Sequence, residues 1–218
     1  MENIIQTTLM GLFFGTFGTT IGGVIGATLN LKSNKILSFI LQFAAGLMLA
    51  IVAFELIPEA LELAKIKYVI IGSLFGVAIM LLCENIANKK IKTNKKQTSI
   101  LKTGIIVGIG LALHNIPEGL SIGAGFGASY KLGISLAIAI AFHDIPEGIS
   151  MAVPMKAGGI SIIKVILLTF LSGITTGIGA FFGGILGTIS KELISFSLAF
   201  AAGAMLYIVS RRTNTRIK

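Results

Sequence analysis

The chain has 218 residues, 54% of them hydrophobic and 12% charged, with 27 glycines and a mean hydropathy of +0.92. That balance excludes an ordinary soluble domain. The net charge of +9 suggests nucleic acid at first sight, but lysines gathered between long apolar runs account for it better, and the single Cys83 rules out an intrachain disulfide framework.

Uncharged runs cover Asn3 to Leu31, Ile36 to Phe54, Tyr68 to Cys83, Thr103 to Pro117, Val165 to Ser190 and Leu193 to Ser210. A helix crossing about 30 Å of hydrocarbon needs roughly 20 apolar residues. Only helices and closed barrels satisfy their backbone in lipid, and these runs lack the alternation of a barrel strand. The fold class is therefore all-α, a polytopic transmembrane bundle forming a single domain over residues 1–218. Seven spans are expected, at 4–30, 36–58, 67–88, 103–128, 132–154, 160–187 and 192–210. The first is no cleavable signal, since it opens with Glu2 instead of a basic patch and exceeds the length of an h-region.

Span one, GLFFGTFGTTIGGVIGATLN, repeats Gly and Thr at three- and four-residue spacing, which lets membrane helices approach closely. Span two ends in FELIPEALELA. Glu55 and Glu59, near its outer end, are candidates for drawing cations to a pore mouth; Glu59 and Glu62 equally suit plain solvent beyond the helix end. Span three carries Glu84 beside Cys83 at its cytoplasmic end, the place of a snorkelling residue. The segment that follows, residues 89–102, is a basic loop. With the N-terminus outside, ten loop lysines (Lys32, Lys35, Lys89, Lys90, Lys92, Lys95, Lys96, Lys102, Lys156, Lys164) are cytoplasmic. Four (Lys65, Lys67, Lys131, Lys191) lie opposite, a positive-inside bias.

Spans four and five carry one phrase twice. His114 to Gly119 read HNIPEG and His143 to Gly148 read HDIPEG, and these hold the only two histidines of the chain. Within each copy His and Glu are four apart and share one helix face. An imidazole and a carboxylate so placed are half of a divalent-metal site. Pro117 and Pro146 cannot donate to the carbonyls of Leu113 and Phe142, four residues back. His114 lies about 12 residues, or roughly 18 Å, beyond Lys102, and His143 about as far beyond Lys131. The phrases thus meet at mid-membrane from opposite directions. Ionisable groups at that depth mark an ion or substrate path by default. Three carboxylates there, on Glu118, Asp144 and Glu147, repel unless a cation sits among them.

The flanking spans also repeat each other. At a shift of 157 residues, LQFAAGLMLAIVA (41–53) lies over LAFAAGAMLYIVS (198–210) with nine of 13 positions identical, and Gly22 and Gly26 fall on Gly179 and Gly183. Five spans separate the equivalents, so the copies run in opposite senses. Inverted repeats around a mid-membrane site with proline-broken helices are the mark of a secondary transporter.

The paired phrases and the inverted repeats resemble the ZIP (Zrt/Irt-like) family of divalent-metal transporters, over about Gly11 to Ser210. The resemblance implies an eight-helix bundle of three, two and three helices, both termini outside the cell membrane, often a homodimer. It implies transport of Zn²⁺, and in some members Fe²⁺, Mn²⁺ or Cd²⁺, into the cytoplasm, with the metal as cargo and no cofactor. By that resemblance His114, Glu118, His143 and Glu147 hold one ion. Asn115 and Asp144 hold a second, with the glutamates bridging, and Met48 approaches the first.

Three features depart from the family's pattern. On span six LSGITTGIGA places Thr176 and Gly177 where many members carry Glu-Pro, so the second ion loses a ligand. The basic loop has no histidine. The repeat predicts a relative of FELIPEA where the chain reads RRTNTRIK. Residues 211–218 are expected to be an aberrant tail: with AGA arginine codons and suitable threonine and asparagine codons, a one-nucleotide shift can re-read them as Glu-Glu-Leu-Ile-Pro-Glu, as if a frameshift had removed an eighth helix. Two alternatives follow from the residues: a membrane protein that binds metal without moving it, and an intramembrane metalloenzyme. The second lacks the H-E-x-x-H of a zincin, so an enzyme is not expected. No P-loop offers ATP drive.

Overall fold

The computed structural model describes residues 2–29, 34–91 and 99–214. Among these the chain is helical, with no strand: α1 (Glu2–Thr28), α2 (Asn34–Ile51), a π-helical segment (Val52–Leu56), α3 (Ile57–Leu63), α4 (Ile66–Ile91), α5 (Ser99–Ala128), α6 (Tyr130–Ala157), α7 (Ile162–Gly187) and α8 (Lys191–Asn214). α2, the π segment and α3 form one continuous rod, so the helices make seven rods. Six are long and apolar enough to cross a membrane among the described residues, from Ile4–Thr28 to Lys191–Ser210. The seventh, α5, has 30 residues, about 45 Å at 1.5 Å per residue. The chain is a multi-pass membrane protein.

Three boundaries differ from expectation. The second span does not stop at Pro58. The helix runs on to Leu63, with the Ile57 N–H bonded to the Val52 carbonyl and Pro58 in the first turn of α3, where its missing N–H costs least. Glu59 and Glu62 are therefore helical residues. α4 and α5 each extend into the expected loop of 89–102, so that only 92–98 separate them, and those lie outside the described residues. α8 continues through the first part of the expected tail to Asn214, beyond which the described residues end.

α5 and α6 are joined by Ser129 alone. Its extended backbone reverses the chain, and its hydroxyl accepts from the Leu132 N–H at 3.1 Å, capping α6. A one-residue connection forces the two helices to run antiparallel. His114 lies 15 residues into α5 and His143 13 residues into α6, which brings both to similar depth.

Glycine governs how close the neighbours come. α1 and α7 pack antiparallel along each other and clasp the α5–α6 pair, α1 along α6 and α7 along α5. A Cβ on Gly22 of α1 would overlap the Ile145 carbonyl oxygen, and one on Gly179 of α7 would overlap the Ile116 carbonyl oxygen. The glycines that close the two site phrases do the reverse: Gly148 lies on the Thr19 carbonyl and Gly119 on the Thr176 carbonyl. The sequence shift relates Gly22 to Gly179 and Thr19 to Thr176, so these contacts are one contact made twice. The inverted repeat is thus a packing symmetry as well as a sequence one. Small residues permit this approach, and van der Waals packing drives it in lipid.

α2, α3, α4 and α8 flank this four-helix centre. α4 lies along α8, where a Cβ on Gly203 would overlap the Ser73 carbonyl oxygen. Between the flank and the centre lies an apolar cluster that includes Met48, Val52, Leu56, Leu136, Ile140, Leu198 and Met205. Outward faces carry exposed apolar side chains such as Phe13, Phe39, Phe54, Leu74 and Ile163, as a helix surface in lipid should.

Candidate metal site

Helical spacing puts His114 and Glu118 one turn apart on α5, and His143 and Glu147 one turn apart on α6. Both helices continue through their prolines. Matching serines one turn on brace the glutamate turns: Ser121 Oγ donates to the Glu118 carbonyl at 2.6 Å and Ser150 Oγ to the Glu147 carbonyl at 2.7 Å. The repeated phrase is therefore longer than six residues, and Ser121 and Ser150, 29 residues apart like the histidines, could have been read as part of it.

The four side chains converge. His114 Nε2 is 3.2 Å from Glu118 Oε1 and 2.9 Å from Glu147 Oε1. His143 Nε2 is 3.1 Å from Glu147 Oε1, and its Nδ1 is 3.6 Å from Glu118 Oε1. Each glutamate thus reaches both imidazoles. The ring centroids are 6.0 Å apart, and one ligand atom from each residue lies within 4.8 Å of the other three. A tetrahedral ion with bonds of about 2.1 Å places its ligand atoms about 3.4 Å apart, within the range of these contacts. All four residues are at most 2% exposed. Carboxylates so deep inside an apolar bundle are stable only beside a cation or a proton, and the imidazole–carboxylate donor set suits a borderline divalent metal.

The second pair expected at the site stands directly beside these four. Asp144 Oδ1 stands 3.4 Å from His143 Nδ1, and its Cβ lies against Gly18 of α1. Asn115 faces α7, donating its amide N–H to the Ser172 carbonyl at 3.0 Å. Asn115 Oδ1 and Asp144 Oδ2 are buried with no hydrogen-bond donor. Thr176, in the place of the family's glutamate, is fully buried with its hydroxyl unpaired, directed at Gly15. Met48 is fully buried in the adjoining apolar cluster.

Away from the centre, Glu55 is half-buried on the π segment and accepts from Ser135 Oγ of α6 at 3.0 Å. Glu59 is half-buried one turn beyond, and Glu62 is exposed. Glu84 is no free snorkelling end. It accepts a hydrogen bond from the Tyr207 hydroxyl, which ties α4 to α8. Ser135, Ser172 and Tyr207 were not foreseen, because a lone hydroxyl on an apolar helix carries no spacing signal until its partner helix is known.

A buried imidazole–carboxylate cluster at the centre of a glycine-packed inverted repeat defines an integral membrane protein built around an intramembrane cluster whose residues could hold a metal ion. Residues 84–212 match the family described as ZIP Zinc transporter. The chain belongs to that family, one of transporters and not of enzymes. It is 39% identical over 103 residues to a protein of Myxococcus xanthus named zinc transporter GufA, a match covering 47% of this chain and 41% of that protein. It is 42% identical over 109 residues to zinc transporter ZIP11 of Xenopus tropicalis, covering 47% and 32%. It is 32% identical over 123 residues to zinc transporter ZupT of Salmonella heidelberg strain SL476, covering 52% and 44%. The matched stretch is thus less than half of the length of each of these relatives.

Proposed function

We propose that this chain moves divalent metal ions, Zn²⁺ foremost, across the cell membrane into the cytoplasm through the four-residue cluster of His114, Glu118, His143 and Glu147. One observation carries the reading: Glu147 of α6 reaches His114 of α5 as closely as it reaches its own His143, so a single ion draws ligands from both oppositely running helices. The names of the relatives favour Zn²⁺, and the nitrogen–oxygen donor set admits Fe²⁺, Mn²⁺ and Cd²⁺ as well.

In this reading the N-terminus lies outside, on the strength of the lysine bias. Glu55 and Glu59 then face the outer mouth and concentrate hydrated cations there. The apolar layer of Met48, Val52, Leu56, Leu136 and Ile140 separates that mouth from the cluster and excludes water. The arriving ion exchanges its water for two imidazoles and two carboxylates, and Met48 borders its path. Asp144 and the Asn115 carbonyl oxygen flank the bound ion on its α1 and α7 sides. A homodimer, implied by the resemblance, fits the exposed apolar faces without being required by them.

Uptake of ⁶⁵Zn into sealed vesicles containing the full chain tests the proposal. Wild-type protein accumulates the ion, and replacing His114 and Glu118 together by Ala reduces accumulation to that of empty vesicles. Equal uptake by the double variant would reject the assignment.

A further inference from the structure

We propose that Ser135 is a positioning residue for cation entry, aiming the Glu55 carboxylate into the seam between α2 and α6. The proposal rests on the transport reading above and on Glu55 as its entrance. Its basis is the hydrogen bond from Ser135 Oγ to Glu55 Oε1 at 3.0 Å, which joins a flanking helix to the helix that carries half of the metal site. Ser135, Ala139 and His143 follow at four-residue steps on α6 and so share a face, with Ser135 about 12 Å outward of the imidazole. On the facing rod Glu55 follows Met48 by seven residues, which is two helical turns. The apolar cluster fills the space between these two levels, with Leu136 and Ile140 from α6, Met48 from α2 and Val52 from the π segment. The Glu55–Ser135 pair therefore stands at the outer edge of the layer that an ion must cross to reach His143.

The chemistry of the pair suits capture. Glutamate has three side-chain torsions, and Glu55 is only half-buried, so without a partner its carboxylate is free to take several orientations. A hydroxyl fixes one carboxylate oxygen without neutralising the charge, as a lysine would, and leaves the second oxygen to the cation. Because serine is neutral, the bond yields when a divalent ion takes the carboxylate, so the pair orients without trapping.

The test measures initial ⁶⁵Zn uptake against Zn²⁺ concentration in vesicles with matched protein content. Ser135→Ala should raise the KM about tenfold, the loss of one hydrogen bond to a charged group at the low end of its range, with the maximal rate unchanged. Ser135→Thr, which keeps the hydroxyl, should restore the wild-type KM and shows that the helix tolerates substitution there. Glu55→Gln should raise the KM as well, and adding Ser135→Ala to it should change nothing further, because the two act as one unit. A KM unaffected by Ser135→Ala, or raised equally with and without Glu55, overturns the role of Ser135 alone. A KM unaffected by Glu55→Gln overturns the entrance, and absence of uptake by wild-type vesicles overturns the transport reading itself.

Discussion

Glu147 and His114 are 33 residues apart in sequence and on different helices, and their side chains meet at 2.9 Å. The contact is possible because α5 and α6 pivot on one residue, Ser129, and because Gly119 and Gly148 let α7 and α1 press both helices inward. Glu147→Gln keeps the shape and removes the charge that both imidazoles share. Zn²⁺ affinity of the detergent-solubilised protein, read by competition with a chelating dye, should fall at least about a hundredfold, beyond what loss of an outer partner of a metal ligand costs. Retention of wild-type affinity would show that the cluster does not bind the ion.

Protons compete with the metal for every one of these ligands, since imidazole and carboxylate bind it only when deprotonated. Zn²⁺ affinity should therefore be fully present above the histidine range and decline as pH falls through the histidine and then the carboxylate range. Equilibrium binding at fixed ionic strength between pH 8 and pH 5, roughly the interval in which histidine titrates, reads this directly. Affinity that rises on acidification would contradict the ligand set.

The number of bound ions follows from Thr176. A hydroxyl there supplies no charge, and the Asn115 N–H is committed to Ser172, which leaves Asp144 as the extra acid. We expect one tightly held ion per chain by metal analysis after gel filtration, still one in Asp144→Asn, and none in the His114→Ala, Glu118→Ala variant. Two tight ions in the wild type would mean that Asp144 and the Asn115 carbonyl suffice for a second site.

The pseudo-symmetry makes an asymmetric prediction about glycine. Gly46 and Gly203 are equivalents under the 157-residue shift, but a Cβ on Gly203 would overlap the Ser73 carbonyl oxygen whereas one on Gly46 meets open space. Gly203→Ala should lower stability by about 2 kcal/mol, as overpacking does, while Gly46→Ala is neutral or slightly stabilising in the helix. Gly22→Ala, whose Cβ would overlap the Ile145 carbonyl oxygen, should behave like Gly203→Ala. Midpoints of unfolding in mixed detergent, followed by helical circular dichroism, distinguish them.

The sequence alone determined that this chain spans a membrane, because only helices can carry such long uncharged runs through lipid, and their lengths show it without any partner. It also picked out the four candidate ligands that the fold brings together. A four-residue step fixes His and Glu on one helix face locally, and a phrase repeated in opposite directions places the two halves at one depth. The tertiary structure decided how those halves interlock. Glu147 crosses to His114, Asn115 turns to Ser172 on α7, and Asp144 lies between His143 and Gly18 of α1, because α1 and α7 press on the site from opposite sides. It also decided that the second span continues through Pro58: a π segment absorbs the proline and keeps Glu55 on a helix beside Ser135. The roles of single hydroxyls and glycines depend on which helix lies across from them, and that contact is formed by residues far apart in the chain.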